Sequence, residues 1–83
     1  MVYGVNDLAR KIGVLIRKRR IECDISQEDL ASDASVDRSY MGRIERGKVN
    51  ISISILYEIA RALDCEARDL LPAMSESSDS PTD

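Results

Sequence analysis

The chain has 83 residues, which is enough for one small domain and leaves no room for a second. It contains no tryptophan, phenylalanine or histidine. A core must therefore come from aliphatic side chains, which suits packed helices, and a histidine-based metal or catalytic site is excluded.

The formal net charge is −3, from 12 basic and 15 acidic residues, and this looks unfavourable for a nucleic-acid-binding protein. The distribution changes that view, because residues 73–83 are acidic, rich in serine and without a basic residue. We expect a domain over residues 1–72 and a disordered acidic tail over 73–83. Screening limits surface fields to about 8–10 Å, so local clusters matter more than the sum. The basic residues cluster in two places: Arg10, Lys11, Arg17, Lys18, Arg19 and Arg20, and then Arg38, Arg43, Arg46 and Lys48.

No apolar run approaches the length of about 20 residues that a membrane span needs, and the first residues lack the pattern of a secretory signal. We therefore expect a cytoplasmic protein without a membrane partner. Cys23 and Cys65 stand alone, so we expect reduced thiols in small apolar niches rather than a redox pair. No metal, cofactor or small-molecule ligand is expected, and no set of catalytic groups is visible, so an enzyme is not expected.

The first predicted helix begins at a cap on Asn6 and runs to about Glu22. Gly13 weakens its middle and permits close packing. Asp24 follows the helix and tolerates a left-handed turn conformation. The apolar stripe that predicts this helix comprises Leu8, Ile12, Leu15 and Ile16 and continues to Arg19.

Three further helix starts share one device, a capping side chain between two apolar residues that can pack together. The caps and their flanking pairs are Ser26 between Ile25 and Leu30, Asp37 between Val36 and Met41, and Ser52 between Ile51 and Leu56. Asp29, three residues after Ser26, completes the pattern of a capping box. These starts exclude one long helix through the region.

The remaining boundaries complete a predicted five-helix, all-α fold. The third helix runs from Arg38 to about Arg46 and stops at Gly47. The fourth runs from about Ile53 to Leu63, and a short fifth from Glu66 to Leu71 ends before Pro72. Alternating isoleucines at 51, 53 and 55 could suggest a strand, but the helical stripe continues and a lone strand would have no partner. The second and third helices form a helix-turn-helix.

Three segments carry a family resemblance: residues 27–31, 39–47 and 56–63. They resemble the repressor-type (XRE/Cro-like) helix-turn-helix proteins of phages and bacteria. The likeness to restriction–modification controller proteins is greater still, because Ile-Glu-Arg-Gly at 44–47 is followed by Asn50 and a capped helix. The resemblance covers about residues 8 to 71. It implies a compact five-helix domain of the lambda-repressor-like type and a homodimer that binds palindromic operators to regulate transcription.

In such a motif the third helix enters the major groove. Arg38, Ser39 and Arg43 would then face base edges, where arginine suits paired contacts with guanine. Met41 and Ile44 fall on the opposite side and should pack inward. The alternative is that the two arginines are only solvated surface charges.

Backbone contacts are predicted at Tyr40, which could also reach a thymine methyl group, and at Arg46 and Lys48 after the third helix. The resemblance implies that Gln27 holds a phosphate, and a helix N-terminus offers donors for one. An ordinary exposed residue is the alternative for Gln27. Lys18 and Arg19 could add phosphate contacts or simply be solvated.

The resemblance also implies a structural ion pair between Arg20 and Glu45 that ties the first helix to the third. Asp37 is interpreted as a cap, although it could also accept a cytosine amine. Departures from the family pattern occur at turns, where Asp24, Ser35 and Asp64 stand at places that glycine commonly takes. Ser35 matters most, because it sets the angle between the two motif helices.

The function predicted is a sequence-specific, dimeric DNA-binding transcriptional regulator with double-stranded DNA as partner. Candidates for the dimer surface lie on the fourth and fifth helices: Ile53, Ile55, Leu70 and Leu71. At least one of Leu70 and Leu71 should instead close the core. The alternative is a helix-turn-helix antitoxin or adaptor whose main partner is another protein.

Overall fold

A computed structural model describes residues 5–74 of the chain, with side chains from residue 7 onward. This part contains four α-helices and no strand: α1 Val5–Glu22, α2 Gln27–Asp33, α3 Arg38–Glu45 and α4 Ile53–Ala62. A single 3₁₀ turn, Ala67–Leu70, follows. The all-α class is confirmed. Most of the predicted acidic tail, residues 75–83, lies outside the described residues.

The predicted fifth α-helix is wrong. The segment between Cys65 and Pro72 makes only the 3₁₀ turn, in which the Asp69 N–H donates to the Glu66 carbonyl oxygen at 2.9 Å. Leu71 is already extended, with φ −113° and ψ 137°. Proline disfavours the helical conformation in the residue before it, so too few residues remain for an α-helix.

The three predicted caps are confirmed. Ser26 Oγ accepts from the Asp29 N–H at 3.0 Å, and Ser52 Oγ accepts from the Ile55 N–H at 3.2 Å. Asp37 caps α3 by accepting from the Ser39 N–H at 3.0 Å. The cap predicted at Asn6 is wrong, because α1 already includes Val5.

The core lies where the four helices and the 3₁₀ turn meet. Met41 and Ile44 point into it, as predicted from the helical period of α3. The large side chains that are fully buried are Ile16, Leu30, Met41, Ile44, Ile59, Leu63 and Leu70. Because these side chains come from every described element, the core fixes the position of α3 through its buried face.

Non-glycine residues close several turns in the left-handed conformation. Asp24, Ser35 and Asp64 have φ of 58°, 60° and 56°, beside Gly47 at 73°. The left-handed prediction for Asp24 is confirmed. Ser35 lies between α2 and α3, and its N–H donates to the Ser32 carbonyl oxygen at 3.1 Å. The turn of the motif therefore forms with serine in a conformation that glycine adopts without cost.

Two glycines let α1 cross the end of α3 at backbone distance. A Cβ placed on Gly13 would lie 2.5 Å from the Ile44 carbonyl oxygen and 2.6 Å from that of Glu45. A Cβ on Gly47 would lie 2.5 Å from the Arg10 Cα. The predicted role of Gly13 in close packing is confirmed. This contact fixes how closely the end of α3 packs against α1.

Arginines bind the carbonyl ends of neighbouring helices. Arg19 donates from Nε to the Leu63 carbonyl oxygen and from Nη2 to that of Asp64, both at 3.1 Å. Arg61 Nη2 donates to the Asp33 carbonyl oxygen at 2.8 Å. Arg19 therefore links α1 to the end of α4. The sequence analysis considered it only as a phosphate contact or a solvated charge, and did not predict this role.

The two cysteines, Cys23 and Cys65, are free thiols and are half-buried against the core. Burial raises the pKa of the Cys65 thiol, so it stays protonated at neutral pH. Within residues 5–74, every helix is too short or too polar to cross a bilayer.

Candidate nucleic-acid interface

The outer face of α3 carries the three side chains predicted to read bases. Arg38, Ser39 and Arg43 are all exposed, whereas Met41 and Ile44 on the other face are buried. The division follows from the helical period, which places positions 38, 39 and 43 within one arc of the helix. The structure therefore brings these three residues together on one accessible surface.

Asp37 and Ser39 form a closed polar unit at the start of that face. Asp37 Oδ2 accepts from the Ser39 N–H and also from the Ser39 hydroxyl. The hydroxyl bond, the Ser39 N–H and the Tyr40 N–H hold the pKa of the Asp37 carboxyl below its ordinary value. Asp37 is thus a carboxylate at neutral pH, and both residues are exposed to solvent.

Tyr40 lies at the edge of the same surface. Its ring is half-buried and packs against the core cluster. The guanidinium carbon of Arg43 lies 5.9 Å from the ring centroid. This distance is within the range of a cation–π contact, which limits the rotamers of Arg43.

A buried ion pair holds the end of α3 from behind. Arg20 Nε lies 2.7 Å from Glu45 Oε2, and Arg20 Nη2 donates to Glu45 Oε1 at 3.0 Å. The side chains are 13% and 2% exposed, respectively. Arg20 Nη1 also donates to the Ile25 carbonyl oxygen at 3.0 Å, just before α2. One guanidinium therefore joins α1, the α1–α2 loop and α3.

Gln27 adds α2 to this network, which the sequence did not indicate. Its Nε2 donates to Glu45 Oε1 at 3.1 Å, and its Oε1 would lie 3.4 Å from a Cβ on Gly42. Gly42 is buried beneath this amide. Gln27 is thus half-buried in the α2–α3 contact rather than freely presented to solvent.

Two further cations follow α3. Arg46 and Lys48 are exposed, and Arg46 Nη1 would lie 3.2 Å from a Cβ on Gly42. Lys18 on α1 is also exposed. Arg46 thereby turns back along the outer face of α3, beside the side chains predicted to read bases.

A second surface, distinct from α3, is apolar. Ile53 is 68% exposed and Leu71 is 42% exposed, while Ile55 is half-buried against the core. Leu70 is only 1% exposed. Leu70 therefore belongs to the core, and the prediction that it lies on a dimer surface is wrong; the side chain is turned inward by the 3₁₀ turn.

The sequence interpretation missed two members of this apolar surface. Tyr57 is 62% exposed and lies one helical turn after Ile53 on α4. Leu8 of α1 lines a groove together with Ile53 and Leu71. The spacing between Ile53 and Tyr57 was a signal available in the sequence, whereas the meeting of Leu8 with Leu71 depends on the tertiary fold. We call Leu8, Ile53, Tyr57 and Leu71 the apolar surface.

Comparison with known proteins places this geometry in a family. The HTH_3 family model, described as helix-turn-helix, matches residues 16–70. The chain belongs to the HTH_3 helix-turn-helix family. The match spans α2 and α3 with the helices that support them, so it covers the whole of the candidate interface.

The relatives of this chain include several control proteins. C.BamHI of Bacillus amyloliquefaciens is 34% identical over 67 residues, covering 80% of this chain and 83% of that protein. C.MunI of a Mycoplasma species is 36% identical, covering 80% and 90%. The solved structure of the restriction–modification controller protein C.AhdI from Aeromonas hydrophila matches with a TM-score of 0.74 and 41% identity, covering 76% and 96%. The resemblance to controller proteins is confirmed.

The chain is accordingly a helix-turn-helix transcriptional regulator with restriction–modification controller proteins among its homologues. Its family is non-enzymatic. The predictions of an all-α class, of the family and of a non-enzymatic protein are therefore confirmed, whereas the count of five helices is not.

Proposed function

We propose that the protein binds a palindromic operator as a homodimer, reads its sequence with α3, and controls a restriction–modification system. The observation that carries the proposal is the exposure of Arg38 and Arg43 beside Ser39 on one face of α3, above a buried opposite face. An arginine in the major groove donates in pairs to guanine O6 and N7, which discriminates bases by about 1–3 kcal/mol.

Contacts to phosphates position that face on the duplex. Tyr40, Arg46 and Lys48 border the reading residues, and their contacts carry no sequence information themselves. The side chain of Gln27 can donate to a phosphate only through its second Nε2 hydrogen, because the first goes to Glu45. Its main contribution to binding is to hold α2 against α3.

The homodimer forms through the apolar surface. The exposed side chains of Ile53 and Leu71 offer a face that a second copy can cover. Association would present two α3 helices to half-sites about one helical turn apart, as a palindrome requires. Covering this surface also adds burial to a domain whose own core is small.

The controller role rests on the relatives rather than on the site. Two control proteins match over 80% of this chain, and a restriction–modification controller structure matches at 41% identity. Those proteins have nearly the same length as the aligned region, so the likeness extends beyond the motif itself.

Selection of bound sites from random duplexes tests the proposal. The wild-type protein should enrich one inverted repeat, and Arg43→Ala should relax the preference at one base pair of each half-site. Arg68→Ala is the matched control, because Arg68 is an exposed arginine on the 3₁₀ turn, which packs against α1 and α4; it should leave every base preference unchanged. Uniform weakening by Arg43→Ala would move Arg43 to the phosphate contacts. Enrichment of no sequence by the wild type would contradict the proposal and favour a protein partner.

A further inference from the structure

The hydroxyl of Ser39 has only one way to bond to Asp37. The carboxylate oxygen is an acceptor, so the Ser39 hydroxyl must supply the hydrogen of the bond that joins them. That hydrogen is then unavailable to DNA. What Ser39 Oγ still offers outward is a pair of acceptor lone pairs.

The carboxylate offers the same polarity. Asp37 Oδ2 accepts from the Ser39 N–H and from the Ser39 hydroxyl. An ionised carboxylate donates nothing, and the lowered pKa of Asp37 keeps it ionised at neutral pH. Asp37 and Ser39 are both exposed at the start of α3, where the predicted reading face begins.

We propose that Asp37 and Ser39 act as one acceptor-only reading element that selects an amino-bearing base, adenine or cytosine, at one position of each half-site. The inference rests on the proposed function and deepens it. In the major groove adenine N6 and cytosine N4 donate hydrogens, whereas guanine O6 and thymine O4 only accept. Guanine or thymine at this position would place its O6 or O4 acceptor against the acceptor oxygens of Asp37 and Ser39, so no hydrogen bond could form. Arg38 and Arg43 have the opposite polarity, since guanidinium groups only donate.

The element also explains how one serine, which by itself can donate or accept, becomes selective. A free hydroxyl would rotate to suit either kind of base. Asp37 removes that freedom before DNA arrives. Asp37 is thus a specificity-determining residue in addition to the cap of α3.

Base selection with three variants tests the inference. Asp37→Asn keeps a capping oxygen for the Ser39 N–H and hydroxyl but adds an amide donor. Ser39→Ala removes the hydroxyl. Ser32→Ala, at an exposed serine on α2, is the matched control. The wild type and the control should prefer A or C over G or T at one position by at least about fivefold, the lower end of the cost of a mismatched pair.

Both test variants should reduce that preference severalfold at this position while leaving the others, and the helical circular dichroism, unchanged. Asp37→Asn also removes a negative charge near phosphates, so its overall affinity should rise; the readout is therefore the base preference. If both variants keep the wild-type preference at every position, Asp37 is only a cap and the inference fails. If the wild type selects no sequence at all, the proposed function itself fails, which is a different result.

Discussion

The surface around α3 and the apolar surface lie on the same small domain but differ in how completely the monomer organises them. Around α3 the polar groups already have partners: Glu45 accepts from Arg20 and Gln27, and Asp37 accepts from Ser39. Across the domain, Ile53 and Tyr57 stand exposed. The polar groups around α3 are therefore already arranged in the monomer, whereas the apolar surface is exposed; under the proposed function, a second copy covers it.

The strongest test of pre-arrangement removes the cation behind α3. Arg20→Met leaves the buried Glu45 carboxylate without its ion-pair partner, and breaking such a pair costs about 3–5 kcal/mol. We expect a loss of that order in the free energy of unfolding, measured by urea denaturation.

Two controls accompany this variant. Arg10→Met breaks the exposed pair with Asp7 and should cost no more than about 1 kcal/mol. The double variant Arg20→Met with Glu45→Leu should recover part of the loss, because no buried charge is left unpaired. Equal losses from Arg20→Met and Arg10→Met would show that the network does not support α3.

Gly13→Ala tests the backbone contact that sets α3 against α1. The new Cβ would meet the Ile44 and Glu45 carbonyl oxygens, and neither is the flexible end of a side chain. We expect destabilisation of about 1–3 kcal/mol by thermal or urea unfolding. Alanine is otherwise the better helix residue by up to about 1 kcal/mol, so an increase in stability would contradict the close approach.

Ile53→Glu tests the other side of the comparison. A charge in the apolar surface should raise the dimer dissociation constant, measured by sedimentation equilibrium, at least about tenfold. A tenfold change requires the loss of only about 1.4 kcal/mol of apolar burial. Val14→Glu is the matched control, since Val14 is 57% exposed on α1. Equal dimer stability in the two variants would place the interface elsewhere.

The smallest expected effect concerns pH. The pKa of Asp37 is lower in the folded protein than in the unfolded chain, so its contribution to stability is present above the ordinary carboxyl pKa and is lost as pH falls through the lowered value. Asp37→Asn keeps the cap but cannot titrate. The melting temperature should fall slightly more between pH 7 and acidic pH for the wild type than for Asp37→Asn. An identical pH dependence would mean that the Asp37–Ser39 bonds do not persist in solution.

Local features of this fold were predictable from the sequence. The caps at Ser26, Asp37 and Ser52 follow from neighbouring residues, and the inward faces of Met41 and Ile44 follow from helical period. The fifth helix failed because a short segment before Pro72 was treated as long enough for i to i+4 bonding. The sequence pattern therefore predicted an α-helix where only a 3₁₀ turn forms.

Non-local features were not predictable in the same way. The bond from Gln27 to Glu45 and the tie from Arg19 to the end of α4 join residues far apart in the chain, and nothing local to Gln27 or Arg19 indicates them. The acceptor polarity of Ser39 likewise depends on a rotamer. The roles of Arg38 and Arg43 in reading DNA remain predictions.

Guanine methylation interference on the selected duplex tests the reading role of α3 most directly, because N7 methylation blocks the acceptor that arginine uses. We predict that methylation of particular guanines in each half-site abolishes binding by the wild type, and that Arg43→Ala loses the interference at one of them. Binding that is indifferent to methylation at every guanine would contradict the account.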